Sequence, residues 1–511
     1  MSKRQFAHFV APTSEMVEKC AARVGVQLDG EDARLLPDWI GDAMAALEKL
    51  EDVEESSVPI DHTHRDPGKM PGEDEDPHNA FVRFCDVRGA GEGSLKGKRL
   101  AVKDCIAVAG VPQSEGGGRR PYFVPTEDAV VIERVLRAGA TIVGKTNMED
   151  MAVGSGEGSY FGAARNPLDP SASTGGSSSG SAAAVASGMV DMALGVDQAG
   201  SIRIPAAWCG LVGMKATHGL VPSYGLTYMD HTLDHIGPIT TNVEDNAQLL
   251  EVIAGEDWRD PQWFRGEPRA SEYLSARGRG LEGTRVGFIR ESVSPELVEA
   301  EVLAAFRRSL QGMSDAGALV QEVSVPLWPL SLPIFSAVVA HGLYGMWLSN
   351  GLGFGHLGRV DVDAVAASAR RSTTFSHHLP PRVLVRLILA QYLNEVEWGV
   401  PLAKAHNLRL RLRHEIDSLF TDVDLLVTPT VPTVAFPLLE GMGERADRMT
   451  RGGTELLNTC PLDLSGHPAL SIPCGVGRGD LPVGVQIIGP RFGELAVYGL
   501  GFALEEELAQ R

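Results

Sequence analysis

Hydrophobic residues recur at helical spacing in two runs between residues 14 and 50. In the second run Leu36, Ile40, Met44, Leu47 and Leu50 fall on one face. The stretch "EDVEESSVPIDHTHRDPGKMPGEDEDPHN" follows; it is acidic, contains prolines and has no period. It reads as a linker or surface wrap, which closes a small helical N-terminal extension over residues 1–75. From about residue 98 the period changes. Strand-like apolar runs ("KRLAVKD", "ATIVGKT", "VDMALGVD") alternate with helical stretches such as "SAAAVASG". The alternation returns near the end in "DLLVTPTVP", "ALSIPCG" and "PVGVQIIG". This pattern predicts an α/β layered domain over residues 76–511, built around a mostly buried sheet. Its core falls at about 98–255 and 420–490. The segment between, about 255–420, is more helical and richer in Trp, Pro and Arg. No internal repeat is visible.

Composition narrows the setting. The 511 residues are 43% hydrophobic and 22% charged, ordinary proportions for a globular chain, and enough for a large core. The formal net charge of −20 argues against a nucleic-acid partner, which wants a basic face. No apolar run approaches the ~18 residues that span a bilayer, and "MSKRQFAHFVAPTSEMVEKC" lacks the apolar region of a secretory leader. The six cysteines are scattered without a C-x-x-C pair, which fits a reducing cytoplasm. Asp61, His62, His64 and Asp66 suggest a metal cluster on paper. A solvated acidic loop is the plainer reading, because no further ligand set stands nearby.

One motif misleads. "GATIVGKT" at 139–146 matches the phosphate loop G-x-x-x-x-G-K-[ST]. Such a loop must lie between a strand and a following helix. Here Val130, Val131, Val135 and Leu136 recur at helical spacing before Gly139, and the variable positions are apolar and β-prone. The order is helix, glycine, strand, the reverse of what phosphate binding needs.

The unusual stretch is 171–205, "SASTGGSSSGSAAAVASGMVDMALGVDQAGSIRIP". Two serines compete there as nucleophile. Ser178 centres "GSSSG", which matches the nucleophile elbow, but "RNPLDPSAST" upstream is no buried strand. Ser201 in "DQAGSIRIP" follows the apolar strand "DMALGVD" at a small-residue turn, where consecutive backbone N–H groups can hold an oxyanion. A serine hydroxyl needs a base, and a buried lysine can be one if its charge is suppressed. Lys103, at the end of "RLAV", is the candidate; a surface lysine paired with Asp104 is the alternative.

Taken together, "AVKD", "GGSSSGSAAAVA" and "DQAGSIRIPAAWCGLVG" resemble the amidase signature family of serine hydrolases. The resemblance extends through "GATIVGKTNMED", "LDHIGPIT", "TPTVP", "LSGHPALSIPCG" and "LPVGVQIIG" in the family's order. It implies the amidase signature fold, a large mixed β-sheet covered by helices. It also implies a Ser–Ser–Lys triad: Ser201 as nucleophile, Ser177 as bridging serine after a cis Gly176–Ser177 peptide, and Lys103 as base. The oxyanion would be held by backbone N–H groups of Gln198, Ala199, Gly200 and Ser201. Ser178 and Arg203 would support the loops, Arg203 by pairing with Asp197, and Gly154 and Ser155 would touch substrate. Where the family usually has Gly-Gly-Ser, this chain has Ala199-Gly200-Ser201, so the turn must work with a Cβ at its first position.

The N-terminal unit and "TLDHIGPIT" look like the bacterial amidases that accompany nitrile hydratases. That branch hydrolyses small aliphatic and aromatic amides, without metal or cofactor, in the cytoplasm. A homodimer through the N-terminal helices follows from the same resemblance. Trp328, Phe335, Tyr344 and Trp347 are candidates for an apolar acyl pocket. Carbamate, anilide or hydrazide hydrolysis is the alternative, and the glutaminase component of a tRNA-dependent amidotransferase a further one.

Overall fold

The computed structural model describes residues 12–53, 60, 64–117, 123–260, 272–354, 358–375, 379–438 and 453–509. The chain forms two compact units, Met1–Pro59 and Ile60–Arg511. The boundary lies before residue 75 because residues 65–69 are not linker but a strand of the large sheet.

The first unit holds helices Ser14–Arg23 and Gly30–Glu48. Thr13 caps the first by accepting the Met16 N–H, and Asp29 caps the second by accepting from Glu31 and Asp32. The longer helix has no buried residue.

The second unit is built on one mixed sheet of twelve strands. In chain order they are β1 (Arg65–Lys69), β2 (Phe81–Arg88), β3 (Arg99–Lys103), β4 (Thr141–Thr146), β5 (Met192–Asp197) and β6 (Val212–Lys215). Then come β7 (His235–Thr240), β8 (Arg285–Ile289), β9 (Leu319–Val323), β10 (Leu425–Pro429), β11 (Ala469–Val476) and β12 (Pro482–Ile488). Their order across the sheet is β1-β2-β4-β3-β5-β7-β6-β11-β12-β10-β8-β9. β3 lies between β4 and β5, parallel to both, while β5, β7, β6, β11 and β12 run antiparallel in turn. The central strands are apolar without alternation because helices cover both faces; every residue of β5 and β12 is buried.

Helix Ser179–Ala186 is made of small residues because it packs close against its surroundings. A Cβ on Gly180 would lie 2.2 Å from the Ala80 carbonyl oxygen. The false phosphate loop resolves as expected from its order: helix Val130–Arg137, a left-handed Gly139, then β4. Its Lys145 is buried and donates to the Ile106 carbonyl at 2.6 Å, so it faces no anion site.

The middle segment contributes β8 and β9 as well as helices Ser331–Leu348, Val362–Phe375, Pro381–Val396 and Val400–Leu419. Trp328–Leu348 is, against the reading from the sequence, long and apolar enough to cross a membrane by composition. Half of it is buried, and it packs on the helices Pro381–Val396 and Val400–Leu419 as a core helix apolar on most sides.

Candidate active site

β3 and β5 lie side by side, and the candidate residues gather at their C-terminal ends. Lys103 is the last residue of β3, fully buried, and its Nζ donates to Ser177 Oγ at 2.7 Å and to the Val196 carbonyl at 3.3 Å. The Gly176–Ser177 peptide is cis. Burial pulls the Lys103 pKa below its ordinary value, while Cys105, Glu149, Asp197 and Asp234 push the other way. Asp104 takes no part. It turns toward Lys145, at 3.5 Å, and accepts the N–H groups of Ser114 and Glu115.

β5 ends at Asp197, and the chain then turns through Gln198, Ala199, Gly200 and Ser201 into helix Arg203–Trp208. Asp197 organises this turn. It accepts the N–H of Gly200 at 2.6 Å and of Ile202 at 3.1 Å, and Arg203 forks onto both its oxygens at 3.0 Å. Burial alone would raise the Asp197 pKa, yet the Arg203 guanidinium beside it holds it down to about 2. Arg203 also donates to Asp463, the Thr459 carbonyl and Gln486, so one side chain ties the turn to two distant parts of the chain.

The Gly200 amide is therefore spent on Asp197, which removes it from the expected oxyanion donors. It is also Gly200, not Ala199, that occupies the left-handed region, at φ +127°. A Cβ there would lie 2.4 Å from Thr459 Oγ1. Ala199 consequently sits in the turn without backbone strain.

Ser201, Gly176, Gln198, Ala199, Gly154 and Ser155 line one pocket of about 520 Å³ of empty space. Ser201 is 8% exposed. Ser178 is not in this wall. It is fully buried, its hydroxyl exchanging hydrogen bonds with the Val196 backbone and its N–H donating to the Ser201 carbonyl, so the elbow reading fails. Ser155 donates to Glu455 at 2.5 Å and accepts from Arg382 at 3.0 Å.

Of the four aromatic candidates, Phe335 lines this pocket and Trp347 lines a separate, larger cavity. Trp328 is buried with its indole N–H on Asn458 Oδ1, and Tyr344 donates to Gln391. Asp61 and His62 lie outside the described residues, and His64 Nε2 meets Asp86 Oδ2 at 3.1 Å. Among the described residues no group of three or more metal-ligating side chains comes together.

Four residues that sequence reasoning passed over belong to the site. Arg382 and Arg386, one turn apart on helix Pro381–Val396, line the Ser201 pocket. Their signal was legible: two arginines at i, i+4 in the otherwise apolar "PRVLVRLILA". Among the described residues no carboxylate meets Arg386, whose head donates only to the Arg382 carbonyl at 3.2 Å. Burial and the charge of Arg382 pull the Arg386 pKa down to about 10. Glu455 lines the same wall. Glu149 lies fully buried behind Gly176, with Oε2 unpartnered among the described residues. A Cβ on Gly176 would sit 2.7 Å from that oxygen. Burial raises the Glu149 pKa, against the pull of Lys103.

The Amidase family model matches residues 85–497. The glutamyl-tRNA(Gln) amidotransferase A subunit of Halobacterium salinarum is 36% identical over 432 residues, which is 84% of this chain and 99% of that protein. The protein of the same name from Moorella thermoacetica is 37% identical, over 82% of this chain and 84% of its own. Among solved structures, the corresponding Thermotoga maritima protein superposes with a TM-score of 0.68 at 30% identity, covering 84% of this chain and 88% of its own. The peptide amidase of Stenotrophomonas maltophilia does so with 0.67 at 28% identity, covering 81% and 83%. The chain belongs to the Amidase family, and its twelve-stranded sheet with covering helices is the amidase signature fold.

Proposed function

We propose that the chain hydrolyses the C–N bond of an amide whose acyl half carries a carboxylate, through Lys103, Ser177 and Ser201. The observation that carries the chemistry is the 2.7 Å contact between a buried, charge-suppressed lysine and Ser177, directly behind the pocket that holds Ser201. Neutral Lys103 accepts the Ser177 proton as Ser177 takes the proton of Ser201. Ser201 Oγ attacks the carbonyl carbon, and the oxyanion is met by N–H groups of Gln198, Ala199 and Ser201. The proton returns through Ser177 to the nitrogen as the C–N bond breaks. Water then attacks the ester carbonyl, with the same relay as base, and releases the acid.

The substrate class rests on Arg386. A guanidinium with no carboxylate partner among the described residues, next to a second one, in the wall of the nucleophile pocket is suited to receive an anionic group. Glutamine fits this description, and relatives of this chain carry the glutamyl-tRNA(Gln) amidotransferase name. That reading adds a protein partner to receive the ammonia. A stand-alone amidase for small carboxamides is the second reading, supported by the likeness to the peptide amidase.

A fluorophosphonate, which reacts with activated serines, tests the chemistry: peptide mapping should find the adduct on Ser201 and none in Lys103→Ala. An adduct on another serine, or none, sinks the assignment. For the substrate class, glutamine and succinamate are compared with propionamide. Arg386→Gln should raise KM for the two charged amides by at least about tenfold and leave KM for propionamide unchanged. Equal losses on all three would remove Arg386 from recognition.

A further inference from the structure

Next to the nucleophile pocket lies a larger cavity, with about 1190 Å³ of empty space, that Ser201 does not line. The partition between the two is thin: Ala152 and Met229 line both. It is also unusual. Met151 and Ala152 are consecutive non-glycine residues in the left-handed region, at φ +55° and +57°. Such a pair persists only where the surroundings hold it, and such outliers gather at ligand sites. Met151 and Met229 add flexible thioethers that re-pack easily around different shapes.

The two chambers differ in character. The nucleophile pocket carries Arg382 and Arg386 against the single Glu455, which already accepts from Ser155 and the Gly453 amide. The larger cavity is mainly apolar, with Tyr228 and Trp347 in its wall. Its charged residues are Glu115, Asp361 and Arg359, and Arg359 is neutralised by Glu127 at 2.6 Å. One chamber thus suits an anion, and the other suits an apolar body with a positive end.

The geometry points to a division of one substrate between them, an inference that rests on the hydrolysis proposed above. The carboxylate-bearing acyl half stays on Ser201 beside Arg386. The larger cavity takes the amine half, an aralkyl amine of the benzyl or phenethyl kind. The reaction balances as an amide hydrolysis. The Ser201 Oγ–carbon bond forms, the carbon–nitrogen bond breaks, and the nitrogen takes the relayed proton. Water then replaces Ser201 on the acyl carbon. The freed primary amine protonates at neutral pH. It is repelled by the arginines and favoured among aromatic faces and carboxylates, so charge drives it into the larger cavity. The substrate class is the N-aralkyl monoamide of a short dicarboxylic acid.

The experiment compares kcat/KM of the full-length enzyme for succinamate, N-benzylsuccinamate and a primary amide with a benzyl group on the acyl side, alongside Ser201 labelling. N-benzylsuccinamate should exceed succinamate by at least about tenfold, the gain expected from burying an aromatic ring. In Ala364→Trp, which fills the cavity wall, the ratio of the two should fall by about the same factor. Thermal unfolding of that variant checks its folding, and Leu343→Trp provides a second filling. A ratio of one or less with succinamate turned over overturns the inference and leaves the hydrolysis standing. A gain only for the benzyl-acyl amide overturns it too, since the cavity then serves the acyl half. Labelled Ser201 with neither succinamate nor N-benzylsuccinamate cleaved also counts against it. Absence of both labelling and turnover removes the underlying hydrolysis as well.

Discussion

Ala199 stands where the family usually has glycine, yet the constraint in this turn falls one residue later. Gly200 has the left-handed φ, its amide is bound by Asp197, and a Cβ on it would lie 2.4 Å from Thr459 Oγ1. Ala199→Gly should therefore leave kcat within about twofold and change little else. Gly200→Ala should lower kcat by about 100-fold or more, comparable to losing an oxyanion donor, because the turn that aims Ser201 must shift. Steady-state kinetics of the two variants read this directly; a large gain in Ala199→Gly would move the constraint back to position 199. Glu149 bears on the pH profile through Lys103. The proposed relay needs neutral Lys103 in the free enzyme, so kcat/KM should rise with pH through the lysine's pKa, which burial holds below the ordinary value of about 10.4. The groups facing Lys103 are Cys105, Glu149, Asp197 and Asp234, and each favours its charged form. Glu149→Gln removes one negative charge, so the acidic limb should move to lower pH. An unmoved limb would mean that Glu149 carries no charge while Lys103 titrates. Nothing in "NMEDM" signals this role: a buried acid and a surface acid look alike in sequence when the burial is made by distant glycines.

At the scale of elements, Arg203 shows how the sheet and the site depend on each other. It opens a six-residue helix and reaches Asp197 at the end of β5, Asp463 in helix Cys460–Ser465, and Gln486 in β12. Removing one partner of a buried ion pair leaves charge without compensation. Arg203→Ala should lose about 3–5 kcal/mol in urea unfolding. Arg203→Lys should recover only part of it, since an ammonium cannot fork onto Asp197. A loss below about 1 kcal/mol would show that the network contributes geometry without stability. The partner Asp197 was legible in the sequence because it stands six residues away. Asp463 and Gln486 were not, because their approach depends on how β11 and β12 pair. The same logic separates strands that could be read from those that could not. β5 is an almost continuous apolar run whose burial on both faces is written in its composition, and β3 and β4 carry the shorter runs "LAV" and "IVG". β1 reads "RDPGK", with the proline and glycine of a turn. Only its position at the sheet edge, beside β2, makes it a strand, and its side chains are largely exposed.

Besides the unit built on the large sheet, the chain carries a separate helical unit, Met1–Pro59. Most of the proposed catalytic layout could be read from the chain because a small set of ordered segments carries it, whereas the proposed two-chamber division depends on the variable segment, where helical spacing alone does not say which face meets the site. The N-terminal unit raises the remaining question. In helix Gly30–Glu48 no residue is buried, and Trp39 is 75% exposed. Leu47 and Leu50, on the apolar face read from the sequence, are exposed as well. Leu36, Ile40 and Met44 on that face are only partly covered, an amphipathic stripe of this kind is marginal in water on its own, and a second copy supplies the simplest matching stripe. We therefore expect the full-length chain, 54.6 kDa, to run at twice that mass in light scattering. A chain lacking residues 1–59 should run as a monomer while Ser201 still reacts with the fluorophosphonate, because Ile60–Arg511 is a compact unit with its own core. Trp39→Glu should weaken the dimer by placing a charge in the stripe without touching the catalytic unit. A full-length monomer would overturn the dimer. A dimer that survives the truncation would move the interface onto the catalytic unit, where the exposed face of helix Pro381–Val396, with Ile388, Tyr392 and Val396, is the next surface to mutate.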